Sequence, residues 1–136
     1  LQDRLAAADL GGAQVFDGQP ATDRLRPDVV IVGWSPSHPA VEVESERPGM
    51  DRRRRLETYR VHGLVSALRG GSSMRAPRDR AFALLDAVDG VLAADRTLGG
   101  LTEWAQLDTT TVEALQTPEG PTCTIGWVIT CRGHTR

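Results

Sequence analysis

The stretch PDVVIVGW, residues 27–34, sets four β-branched residues in a row between turn formers. A strand that is apolar on both faces must be covered on both, which places it inside a layered sheet and away from a solvated edge. The rest of the fold is expected to assemble around this central strand.

Downstream, AVEVESE (40–46) alternates Val41 and Val43 against Glu42, Glu44 and Glu46. RPGMD (47–51) reads as a turn. Residues 53–68 alternate again, with Tyr59, Val61, Val65 and Ala67 on one face and Thr58, Arg60, His62, Leu64, Ser66 and Leu68 on the other. A long antiparallel hairpin over 41–68 follows from this two-residue period. After the linker GGSSMRAP, the segment 78–95 carries Ala81, Leu84, Leu85, Val88, Val91 and Leu92 as one helical stripe. Pro77 suits its first turn, Asp79 complements the positive end of its dipole, and Gly99 and Gly100 end it.

From Leu101 two strands joined by TPEGP (117–121) close the chain, the last with Cys123, Ile125, Trp127, Ile129 and Cys131 on one face. Residues 1–9 have the composition and spacing of a helix that stops at Leu10-Gly11-Gly12, and AQVFDG reads as a short strand. The expected class is α+β: one domain over 1–136, a mostly antiparallel β-sheet with a long charged hairpin and helices packed on one face.

Charge limits the partners. With 16 basic and 18 acidic residues and a pI near 5.9, no global field draws the chain to nucleic acid or an anionic membrane. Every basic residue is arginine, which closes the roles that need a lysine amine, such as Schiff-base chemistry or a phosphate-binding lysine. No apolar run approaches the roughly 18 residues of a membrane span, so neither a span nor a leader is expected. Cys123 and Cys131, eight residues apart on one strand, stand too far apart for a disulfide and are expected as buried free thiols in a reducing compartment.

Catalytic motifs are thin. Asp28 followed by Glu42 and Glu44 has the spacing of a nuclease carboxylate set, but the position that should carry a lysine is a glutamate, which opposes charge building up on phosphate. His38, His62 and His134 fall in three separate segments without zinc-ligand spacing. No nucleophile turn or phosphate loop appears; RGGSS reads as a hinge. No catalytic, cofactor or metal residues are therefore expected, and no enzyme.

What remains is the run Arg52, Arg53, Arg54 and Arg55. A nucleic-acid contact would want basic neighbours, whereas Asp51, Glu57, Glu42, Glu44 and Glu46 surround this run. Two readings stay open. The charges form a solvated ribbon, or they form one side of a joint with another chain, since exposed pairs are each worth only about 0.2 to 1 kcal/mol and serve register and partner choice better than stability. The interface candidates are Glu42, Glu44, Glu46, Arg52, Arg53, Arg54, Arg55, Glu57 and Arg60. Trp34, Trp104 and Trp127 are further large anchors, for the core or for a contact.

The order RRRRLETYRVHGLVSAL, a link, RDRAFALLDAVDGVLAADRTLGG and the closing CTIGWVITCRG resembles the tail terminator proteins of long-tailed bacteriophages, especially those of actinobacterial hosts. The resemblance runs from about Asp28 to Cys131 and lies in the order of the elements. It implies a structural role in the virion: a hexameric ring, assembled in the host cytoplasm, that caps the head-proximal end of the tail tube and stops its polymerisation. The implied partners are further copies of the chain, the tail tube protein and the neck or connector proteins, with DNA passing through the lumen without sequence-specific binding. It also implies that the hairpin from Val41 to Tyr59 meets neighbouring subunits or the tube. A neck or head-closure protein is the alternative within phage architecture, and a catalytically dead nuclease-like nucleic-acid-binding module the alternative outside it.

Overall fold

The computed structural model describes residues 5, 10, 12–20, 27–46, 55–100 and 102–135. Six strands form one mixed sheet: β1 (Gln14–Asp17), β2 (Asp28–Val32), β3 (Val41–Glu46), β4 (Arg55–Leu68), β5 (Trp104–Thr117) and β6 (Gly120–Thr135). A helix, α1 (Arg75–Ala94), lies between β4 and β5 in the chain. The spatial order is β1-β2-β4-β6-β5, with β3 also paired to β4. The class is α+β. One pairing, β1 with β2, is parallel and the others are antiparallel.

The sheet is organised by β4. One of its edges pairs with β6 along its whole length, from Arg55 opposite Thr135 to Leu68 opposite Thr122. The other edge is shared. β2 covers Gly63 to Ala67, β3 covers Leu56 to Val61, and His62 stands at the junction. Thus β2 and β3 form one interrupted strand, and residues 33–40 are an excursion out of it. Both stems of the excursion are pinned to the same residue: the Gly33 and Trp34 amides donate to the His62 carbonyl at 2.9 and 3.1 Å, and the His62 amide donates to the Ala40 carbonyl at 3.0 Å.

Every residue of β2 is buried, as an apolar run between neighbours on both sides requires. Its odd and even residues divide between two cores. Val30 and Val32 join Val65, Ala67, Ile125, Trp127 and Ile129 beneath α1, which contributes Ala81, Leu84, Leu85, Val88 and Leu92. Val29 and Ile31 join Leu64 on the opposite face, against Phe16 and Trp34. Strict alternation along β6 buries Cys123, Ile125, Trp127, Ile129 and Cys131, and both thiols are free.

The expected helix boundaries shift. It begins at Arg75, so Asp79 lies past its first turn and instead pairs with Arg75 one turn back at 3.5 Å. It ends at Ala94, ahead of Gly99 and Gly100. Asp95 leaves helical geometry, and its carboxylate accepts from the Thr97 and Gly99 amides, which holds a turn in which both glycines take positive φ. The expected N-terminal helix and the turn at 47–51 lie outside the described residues, apart from the buried Leu5, which is helical. No described helix is long and apolar enough to cross a membrane.

Candidate functional site

The interface candidates divide by their place on the β3–β4 ribbon. Glu42 and Glu44 lie on the same face as Arg60 and His62, with Glu42 opposite Arg60 and Glu44 opposite Thr58. The diagonal partners meet within the chain, as Glu44 accepts from both terminal nitrogens of Arg60 at 3.3 Å. These side chains stay 57 and 38 % exposed, so the pair contributes little to stability. Glu57 lies on the other face and accepts from the Tyr59 hydroxyl. Glu46 and Arg55 are placed as strand residues opposite Leu56 and Thr135. Arg52, Arg53 and Arg54 lie outside the described residues.

The ribbon's second face, which also carries Ser45 and Glu57, exposes an apolar row. Val41, Val43 and Tyr59 are 49, 61 and 37 % exposed, while Val65 and Ala67 farther along the same face of β4 are fully buried. The reason is geometric. α1 and the cluster containing Val65 cover this face as far as Val61, which is only partly buried at the cluster's margin, and Tyr59, Val43 and Val41 lie at or past that margin.

Asp28 is the best-held charge among the described residues. Arg69, at the end of β4, donates to both of its oxygens at 2.5 and 3.0 Å, and Arg80 of α1 donates at 2.8 Å. Arg80 also reaches the Leu10 carbonyl. Burial works against the Asp28 charge, but the hydrogen bonds and charges of the two guanidinium groups outweigh it and hold the carboxyl below its ordinary value. The same bond to Asp28 pushes Arg69 up. The nuclease-like spacing of Asp28 with Glu42 and Glu44 fails in space. Asp28 stands opposite Ala67 and Glu42 opposite Arg60, seven positions along β4 and about 23 Å at 3.3 Å per residue, too far to share a metal ion.

The histidines correct the sequence reading. His38 and His62, expected far apart, stack with ring centroids 4.5 Å apart and planes 4° from parallel. The excursion 33–40 causes this: it leaves and rejoins the sheet at His62, so its residues fold back over that side chain. The His62 ring is buried, neither ring nitrogen has a hydrogen-bond partner among the described residues, and the nearest carboxylate oxygen, on Glu42, lies 3.7 Å from Nε2. His38 Nδ1 lies 3.2 Å from the Ser37 hydroxyl and 3.4 Å from that of Ser35. Stacked rings cannot pass a proton edge to edge, so these residues do not form a nucleophile relay.

The same excursion walls a cleft that the sequence reading missed. Trp34 and Pro36 flank an apolar hollow of about 490 Å³ whose floor includes Val29, Ile31, Leu64 and Leu68. The Ser66 and Thr124 hydroxyls, 3.1 Å apart, satisfy each other in that floor. A smaller hollow of about 290 Å³ adjoins it across Pro36, Leu64 and Thr124, and carries Ser35, Ser37 and Glu113. Such apolar surface beside few polar groups has the character of a binding surface more than of a reaction centre. Alternation in 58–68 signalled that one face of β4 carries Leu64 and Leu68; that a distant loop stands over it depends on the register of two strands.

No protein-family model matches this chain, and no curated protein matches it in sequence.

Proposed function

We propose that this chain is a structural subunit of a bacteriophage tail, a tail terminator that forms a ring, with six copies as the expected number, at the head-proximal end of the tail tube. The observation that carries this reading is the two-faced β3–β4 ribbon, with Val41, Val43 and Tyr59 exposed on one face and Glu42, Glu44 and Arg60 on the other. A lone domain gains nothing from an uncovered apolar row on an edge ribbon, and edge strands of this kind invite contact with another chain.

In this reading the long charged hairpin, with its arginine-rich connection between β3 and β4, is the arm that meets the next subunit. The helices stay together on one face of the sheet. A head-to-tail ring uses one surface of each copy against a different surface of the next, which suits an arm whose apolar row and Glu42, Glu44 and Arg60 lie on opposite faces. The ring caps the tube, joins it to the neck or connector proteins, and lets DNA through its lumen without reading sequence. Its place is the virion, after assembly in the host cytoplasm, and no catalysis is involved.

The test is tube capping. Tail tube protein from the virus that encodes this chain is polymerised with and without it, and tube length is measured in negative-stain micrographs. Added chain is expected to stop growth and to appear as a ring at one tube end. Unchanged tube lengths with no density at either end would remove the proposal.

A further inference from the structure

We infer that the outer edge of β5, beyond its bulge, is the acceptor surface of the ring: it receives the arginine run 52–55 of a second copy of this chain. This rests on the head-to-tail association proposed above and adds to it the surface that the arm meets.

β5 ends the sheet and pairs only with β6 among the described residues. Residues 108–116 are exposed without interruption, so this half of the strand is covered on neither face. A strand held by one ladder alone gains little from packing and presents an open row of backbone donors and acceptors. Its composition invites a further strand. Thr109, Thr110, Thr111 and Val112 are β-branched, no proline interrupts 108–116, and Val112 and Leu115 are 49 and 60 % exposed. A bulge between Thr109 and Thr111 breaks the register with β6, and residues 111–117 then run in unbroken register, so the regular edge is the part that carries Val112, Glu113 and Leu115.

Charge decides what occupies this edge. Residues 104–120 hold Asp108, Glu113 and Glu119, all exposed, and no arginine. Glu113 and Glu119 form no ion pair among the described residues. Two β5 edges laid together would bring like charges into one ladder, and the β3 edge is acidic as well, through Glu42, Glu44 and Glu46. The complement lies in residues 47–55, which hold five arginines against Asp51 alone.

These charges cannot meet within one chain. Glu113 stands opposite Thr124, which stands opposite Ser66, eleven positions along β4 from Arg55 and so about 36 Å away at 3.3 Å per residue. Arg52, three residues before Arg55, can close at most about 11 Å of that gap. The arm and the acidic edge also lie on opposite sides of the sheet, since β3 pairs with one edge of β4 and β5 lies beyond β6 on the other. Complementary charge at opposite ends of one sheet suits a contact that repeats from copy to copy, with strand addition supplying the backbone bonds.

The test is a charge exchange read by native mass, with tail tube protein added where the unaltered chain needs it to assemble. Glu113→Arg with Glu119→Arg makes an acceptor that repels the arm, and Arg53→Glu with Arg54→Glu makes an arm that repels the acceptor. Each variant alone is expected to lose assembly and stay monomeric. In a mixture every arm finds an oppositely charged acceptor on the other variant, so assembly should return with the two variants in equal number. A ring formed by Glu113→Arg with Glu119→Arg on its own, or a mixture that stays monomeric, overturns the inference and leaves the ring of the unaltered chain standing. A ring of that variant that no longer caps tubes also overturns it, since the edge would then face the tube. An unaltered chain that assembles under neither condition overturns both readings together.

Discussion

The indole of Trp127 lies against Gly63, its direct partner across β4 and β6, so closely that a Cβ on the glycine would fall 2.3 Å from Cζ2 and 2.4 Å from the Ile31 carbonyl oxygen. Trp127 is fully buried beneath α1, and the missing side chain opposite gives its ring space within the sheet. Gly63→Ala is therefore expected to destabilise the protein by about 1 to 3 kcal/mol, as overpacking in a dense core does. Urea unfolding followed by tryptophan fluorescence checks this; an unchanged midpoint would mean that both the Trp127 ring and the Ile31 carbonyl give way freely.

The Asp28 bridge ties β2, the end of β4 and α1 into one unit, and predicts acid behaviour. Its folded-state proton affinity is below the unfolded one, so the stabilisation is complete above the unfolded value near 3.9 and is lost as pH falls through the lower folded value. Asp28→Asn should cost about 3 to 5 kcal/mol at pH 7, because two guanidinium groups lose their counter-charge. The gap between variant and unaltered protein should narrow as pH falls below 4, measured as the difference in thermal midpoints. A gap independent of pH would contradict the bridge.

Burial pushes both thiols up, at Cys123 with partial offset from Arg78 and at Cys131 without one. Both thiolates are thus scarce and sheltered at neutral pH. Iodoacetamide at pH 7.5 should leave both cysteines unmodified in the folded protein and alkylate both in urea, read by intact mass. Rapid labelling of the folded chain would show that β6 is accessible from the α1 side.

Much of this architecture was legible because period carries it. Alternation along residues 123–131 marked the buried face of β6, and the apolar run of β2 its central place, whereas along 58–68 alternation did not: Thr58, His62 and Leu64 of the polar-looking face are buried and Tyr59 of the apolar one is exposed. The helix stripe was readable too, but its ends were not: Asp95 terminates the helix through its own side chain, a local competition that the nearby Gly99 and Gly100 obscured. The His38–His62 stack was unreadable, because it depends on β2 and β3 sharing one edge of β4 and so on pairing between segments far apart in the chain. The role of Asp28 was hidden for the same reason, since Arg69 and Arg80 reach it from a strand end and a helix.

Native mass measured on the protein and on Val43→Asp tests the central claim most directly. Val43 is 61 % exposed on the uncovered face of the ribbon, so the charge costs little in a single chain, while a buried contact between copies would not tolerate it. The account predicts a ring, six copies being expected, for the unaltered protein alone or once tail tube protein is added, and a folded monomer under both conditions for Val43→Asp. A monomer in every case, or a ring that forms equally well with Asp at position 43, would contradict it.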